Sequence, residues 1–227
     1  MKKIIPSIVT TRNSDWRAKI KEINKLGLKE VGLFPTCLNK KERQELYKLL
    51  ENSTLKTIPL VHIRNDMSPS EMDYLIKKFQ VKVFNTHTHS QYPFHYSYSK
   101  HRKMIFIENT YHPLNEKEIK KFGGICLDVA HLEDDRLREP EKFEHNIKII
   151  KEYSIGCNHI SCLQKTPHCN GMGFFRYDAH FMRKFSQLDY LKKFPKKYFS
   201  SIIAIELENT IEKQLAVKDY LIKKIGL

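Results

Sequence analysis

Short β-branched and apolar runs alternate with longer stretches of helical period along the whole chain. The runs fall at 3–9, 30–34, 57–64, 81–87, 104–110, 124–131, 157–163 and 201–207, and each has the length of a strand. Between them, apolar positions recur with helical spacing at 16–26, 41–50, 70–79, 117–122, 141–153, 181–194 and 211–225. Strands alternating with helices imply successive βαβ units and a parallel sheet. The punctuation agrees, since Gly27 and Gly226 sit near helix ends and Ser68 or Ser70 stands ahead of Glu71 as a cap for the third helix. Two stretches break the pattern. Residues 90–103 have no helical period, and residues 163–177 carry His168, Gly171 and Gly173.

Eight strands with their helices predict an α/β fold, a (β/α)8 barrel. An open doubly wound sheet would want a glycine-rich first βα turn, whereas Val9-Thr10-Thr11-Arg12-Asn13-Ser14-Asp15 contains no glycine. At 227 residues the chain is near the minimum for such a barrel. It is therefore expected to form one domain over 1–227 with little material for inserted loops.

Charge adds a question. Lys and Arg total 40 against 26 for Asp and Glu, a formal +14, which favours a polyanionic partner. Much of that charge is lysine spread along the chain, as at Lys40-Lys41, Lys192-Lys193 and Lys223-Lys224, the pattern of solvated helix faces. The five cysteines form no CxxC pair, so a disulfide framework is not expected and a reducing cytoplasm fits. No apolar run reaches the roughly 20 residues that span a bilayer, and the opening Met1-Lys2-Lys3-Ile4-Ile5-Pro6 is too short for a secretory signal. No membrane partner is expected.

The candidate chemistry lies at the C-terminal ends of successive strands: His62, His87 with His89, Glu108, Asp128 with His131, His159, and Glu206. In a barrel those ends converge on the face that carries active sites. Glu108, Asp128, His159 and Glu206 each interrupt an apolar run, and buried carboxylates are costly unless paired or metal-bound. Three carboxylates and one imidazole from four strands suit a divalent ion, with Mn, Zn, Co or Mg favoured over Ca by the mixed N and O donors. His131 is a second ligand, a substrate contact or a group that orients a carboxylate. His62 with His87 or His89 are weaker ligand candidates, for His87-Thr88-His89 reads equally as a polar loop exit. Asp178 and His180 have the spacing of a ligand pair, but Asp178 stands where the seventh helix would begin, so a helix cap is the preferred reading.

Ile107-Glu108-Asn109-Thr110, Cys126-Leu127-Asp128-Val129-Ala130-His131, Asn158-His159-Ile160-Ser161 and Ala204-Ile205-Glu206 resemble the strand-end motifs of the xylose-isomerase-like TIM barrels. That superfamily holds sugar and sugar-phosphate isomerases and epimerases together with the type IV abasic-site (AP) endonucleases. The first activity is the preferred expectation. The resemblance then implies one divalent ion on Glu108, Asp128, His159 and Glu206, holding a sugar or sugar phosphate. Glu108 and Glu206 would act as acid and base on an enediolate, with His131 on a substrate oxygen. Lys165 and His168 would meet the far end of the substrate. The chain departs from the epimerase pattern after His159, where Cys162 and Lys165 replace an acid and an arginine.

The alternative is a zinc-dependent endonuclease acting on DNA, with three zinc ions on a phosphodiester. By resemblance its ligand set extends to His62, one of His87 and His89, and His131, with His168, Asp178 and His180 as further candidates. The family's Asp-x-His pair precedes a Gly-x-Gly, whereas Asp178-Ala179-His180 follows Gly171-Met172-Gly173. DNA is favoured only if Lys100, Arg102, Lys103 and Lys165 gather around the mouth. The aromatic and basic stretch 91–103 is expected either to stack on bases or a sugar, or to replace a barrel helix by packing rings against strands. A barrel that has lost catalysis and serves as a binding module would show a broken metal set, and here the four shared ligands are intact.

Overall fold

The computed structural model describes residues 2–170 and 173–227. Its strands are β1 (Lys3–Ile5), β2 (Ser7–Val9), β3 (Gly32–Phe34), β4 (Leu60–His62), β5 (Val83–Thr86), β6 (Ile105–Glu108), β7 (Gly124–Asp128), β8 (Ile155–Ile160), β9 (Cys162–Cys169), β10 (Phe175–Ala179) and β11 (Ile202–Ile205). Nine of them form one parallel sheet in the order β1-β11-β8-β7-β6-β5-β4-β3-β2. The two ends of that sheet are one extended stretch, because β1 and β2 are parted only by Pro6, which has no N–H to give to a ladder. The Pro6 carbonyl still accepts from Gly32 N at 2.8 Å. Nine strands with one pair shared leave the eight staves of a closed (β/α)8 barrel, the expected architecture.

The helices are α1 (Trp16–Leu26), α2 (Lys40–Glu51), α3 (Pro69–Phe79), α4 (Glu116–Ile119), α5 (Val129–Arg138), α6 (Pro140–Glu152) and α7 (Ile211–Tyr220). Asp15 caps α1, Asn39 and Glu42 close a capping box on α2, and Ser68 caps α3. Gly27 ends α1 at φ 64°, a conformation that costs glycine nothing. None of the helices described is long and apolar enough to cross a membrane.

Side chains sort into an inner and an outer core. Ile5, Val9, Phe34, Leu60, Val83, Cys126, Cys157 and Ala204 fill the barrel. Two larger clusters lie between sheet and helices, one around Leu46, Met72 and Phe84, the other around Leu127, Leu188 and Leu221. Phe106 lies flat over Gly156, where a Cβ would stand 2.0 Å from its ring.

Five local expectations are corrected. The run 124–131 stops being a strand at Asp128, whose side chain accepts from His131 N and starts α5 at once; its apolar residues turn to the core from a helix. Residues 163–177 are not irregular, since β9 and β10 form an antiparallel hairpin beyond the end of β8. Asp178 therefore lies within β10 and caps no helix. Residues 181–194 are not α-helical but form 3-10 turns over Phe185–Lys193. Phe185, Leu188, Leu191 and Phe194 recur every third residue, the 3-10 period rather than the α period. The 117–122 helix shrinks to α4. Residues 90–103 do pack rings, with Phe94 edge-on to Tyr98 and to Phe122. Gly171 and Met172 of the expected glycine motif lie outside the described residues.

Candidate metal centre

Parallel register carries the strand-end residues to one place. Asp128 stands opposite His159, and His159 opposite Ala204, two residues before Glu206. Glu108 closes β6 beside Cys126. Glu108, Asp128, His159 and Glu206 each bring a ligand atom within 4.8 Å of the others, and all four are buried. His159 Nδ1 lies 3.1 Å from Glu206 Oε2 and 3.5 Å from Glu108 Oε2.

The donors are aimed by neighbours. Asp128 Oδ1 accepts from His131 N at 2.8 Å while Oδ2 has no hydrogen-bond partner. Asn109 grips the Asp128 backbone in both directions, and Asn85 Nδ2 donates to Glu108 Oε2 at 2.7 Å. The edge of Phe34 packs on the His159 ring at 4.8 Å. Both ring nitrogens of His159 and Glu206 Oε2 also lack hydrogen-bond partners. Buried polar atoms are rarely left so, and a converging set of them with mixed N and O character fits a divalent cation.

Two flanks adjoin this cluster. On one, His62 Nε2 stands 3.1 Å and His87 Nε2 4.0 Å from the same Glu108 Oε2. His62 Nδ1 lies 3.1 Å from the Ile63 carbonyl, which orients the ring with Nε2 towards the carboxylate. His62, His87 and Glu108 thus form a second ligand group that shares Glu108 with the first. On the other flank, His131 Nε2 stands 3.9 Å from both Glu108 and Asp128, and its Nδ1 is 3.2 Å from Asp178 Oδ2. His180 Nδ1 is 3.9 Å from Glu206 Oε1. Asp178 is also bound by Arg176 Nε. Among the described residues, His131, Asp178 and His180 do not close into a third ligand group, although Cys126 forms one with Glu108 and His159.

Electrostatics follow the packing. Burial raises the Asp128 carboxyl. Burial also pushes Glu108 upward, but His159 and His62 outweigh it and hold this carboxyl well below its ordinary range. Burial opposes charge on His159, yet Glu108 and Glu206 lift it well above an ordinary histidine. The flanks differ: burial lowers His87 to about 4, whereas Asp128 and Asp178 overcome burial and lift His131 to about 9.

The remaining candidates lie elsewhere. His89 is exposed and its Nδ1 accepts from Phe94 N at 3.1 Å, so it folds its own loop. His168 and Lys165 sit on β9 of the hairpin, and neither lines the cavity over the cluster. Cys162 donates to the Ala179 carbonyl and Cys169 is exposed. Lys100 pairs with Asp73 on α3, and Arg102 and Lys103 precede β6, at the end of the barrel opposite the mouth. The basic residues of that stretch do not gather at the mouth.

Three residues escaped the sequence reading. Asn85 lies inside the run Val83-Phe84-Asn85-Thr86 and Asn109 beside Glu108, and neither has a side chain of ligand type to draw notice. Arg176 belongs to the alternating Phe175-Arg176-Tyr177-Asp178, a strand signal hidden by the nearby glycines. A cavity of about 350 Å³ opens above the cluster, lined by His62, His87, Glu108, His131, His180 and Glu206 with Arg64, Tyr92 and Tyr111.

No protein-family model and no curated protein matches this chain. Among solved structures it matches a xylose isomerase-like TIM barrel protein from Mycobacterium smegmatis in complex with magnesium. The TM-score is 0.51 at 11% identity, over 99% of this chain and 97% of that one. The likeness is one of fold.

Proposed function

We propose that this xylose isomerase-like TIM barrel is a divalent-metal-dependent enzyme that hydrolyses the phosphoester of a sugar phosphate unit at a two-ion centre bridged by Glu108. One observation carries the reading: Glu108 is shared by the four-ligand cluster and by the His62 and His87 group. Glu108 Oε2 is enclosed by Asn85, His62 and His159, so this oxygen sits among ligand-type groups from both sides. The magnesium of the Mycobacterium smegmatis barrel supports a divalent ion in this fold, and the nitrogen-rich flank favours Zn or Mn over Mg here.

When bound, ions at such a centre polarise a phosphoryl oxygen, acidify water and clamp the entering and leaving oxygens. The chain's own part is orientation. Asn85 fixes the Glu108 carboxylate, Asn109 fixes the Asp128 backbone, and the Ile63 carbonyl orients the His62 ring. Tyr92 and Tyr111 wall the cavity, the Tyr111 ring being itself stacked on Phe174 and set against Arg176. The volume admits one sugar phosphate unit, either free or turned out of a nucleic acid at an abasic site.

The isomerase or epimerase reading stays as the second, because the basic residues Lys100, Arg102 and Lys103 lie away from the mouth and supply no collar for a duplex. Protein purified without chelator and loaded with zinc or manganese separates the two. Two ions per chain, with cleavage of an abasic-site duplex or release of phosphate from a free sugar phosphate, is the expected result. One ion with solvent-deuterium exchange into a ketose phosphate and no ester cleavage overturns it in favour of isomerisation.

A further inference from the structure

We infer that Arg176 takes, as a fixed cation, the place that a third metal ion would hold, so that no ion binds among His131, Asp178 and His180. The inference rests on the multi-ion reading above. All three side chains of a third ligand set are present, and their spacing in sequence would pass for a metal site. Their surroundings do not fit one. Arg176 is 1% exposed and reaches in from β10. Its Nε donates to Asp178 Oδ1, and one terminal nitrogen pairs with Asp134 Oδ2 at 3.1 Å and lies 3.3 Å from His131 Nδ1. The Tyr111 ring faces the guanidinium at 4.6 Å.

Each of these contacts removes something an ion would need. One Asp178 oxygen is held by the guanidinium, and the other faces His131 Nδ1 at 3.2 Å. A guanidinium does not deprotonate in proteins, so its charge cannot be shed to admit a dication. A like charge a few ångströms away in a dry site repels strongly. The carboxylates are balanced already, Asp178 and Asp134 by Arg176 together with Arg138. A simpler role for Arg176 is to pin the hairpin to α5, since Asp134 also accepts from Tyr177 N and pairs with Arg138. That role alone predicts no gain of metal when the arginine is removed.

Zinc per chain, measured by plasma emission after equilibration with excess zinc and desalting, decides between them. Arg176→Ser is expected to bind one more zinc than wild type, Arg176→Lys none more, and Arg176→Ser with His180→Ala to return to the wild-type number. An unchanged number in folded Arg176→Ser overturns the inference. If Arg176→Ser does not fold, His180→Ala in the wild-type background decides, for an unchanged number agrees with a site filled by Arg176 and the loss of one zinc overturns it. These differences are separate from the wild-type total. A total of one would sink the two-ion function while leaving the increment on Arg176→Ser to judge the inference.

Discussion

The two flanks of the four-ligand cluster use nearly the same residues and differ in what stands behind them. Behind His62 is a neutral carbonyl, at 3.1 Å, and the facing oxygen belongs to Glu108. Behind His131 are Asp178 and the guanidinium of Arg176. On the first flank two imidazoles converge on one carboxylate oxygen. The second has its cation built in. Ligand-type residues at ligand spacing therefore do not define a metal place; the charge of the next shell does.

Removing the shared carboxylate tests the contrast most severely. Glu108→Gln is expected to lose both ions and to lower activity by more than the roughly 100-fold seen for outer-shell changes. Retention of one ion, read by metal content, would break the bridge and make the flanks independent. Next comes stability without metal. In chelator-treated protein, Arg176→Gln leaves Asp178 with His131 and Asp134 with Arg138 and Tyr177 N, and is expected to cost about 3 kcal/mol in urea unfolding. His62→Ala, which loses one hydrogen bond, is expected to cost about 1 kcal/mol. Equal losses would erase the difference between a flank completed by protein and one that waits for a ligand.

A smaller effect is expected from the residue that aims the bridge. Asn85→Ala should weaken metal binding by about 10–100-fold with little change in the fold, as read by competition with a chelator dye. Asn85 also shows what the sequence could and could not tell. The barrel and the convergence of four residues at its mouth were legible because Glu108, Asp128, His159 and Glu206 each break an apolar run at a strand end, and strand ends are fixed by local pattern. The flanks were not. Asp178 looked like a helix cap because it stands just before the helical period read at 181–194, and only the pairing of β9 with β10 turns its side chain inward against His131. His87 and His89 are two residues apart and could not be ranked until Phe94 N claimed His89. Such distinctions depend on contacts between residues far apart in sequence, which period and spacing do not carry.

The last test concerns a buried cation that, unlike Arg176, can shed its proton. Lys19 on α1 is 3% exposed, and its Nζ donates to the carbonyl of Leu207, the residue after Glu206, at 3.1 Å. Burial lowers it to about 8, against the pull of Glu208 and Glu22. Its folded pKa thus lies below the unfolded value of 10.5, so the unfolded chain binds more protons between about pH 8 and 10.5 and this group makes stability rise with pH across that window. Below pH 8 Lys19 is charged in both states, and the full cost of burying the charge is present. Lys19→Met is expected to remove that cost, which the shift bounds at about 3 kcal/mol, while Gln214 keeps the Leu207 carbonyl bonded at 3.0 Å. The stability gain over wild type should be constant below pH 8 and shrink towards pH 10.5. A loss of stability at pH 7 would mean that the ammonium, like the guanidinium of Arg176, is held by its partners rather than merely tolerated.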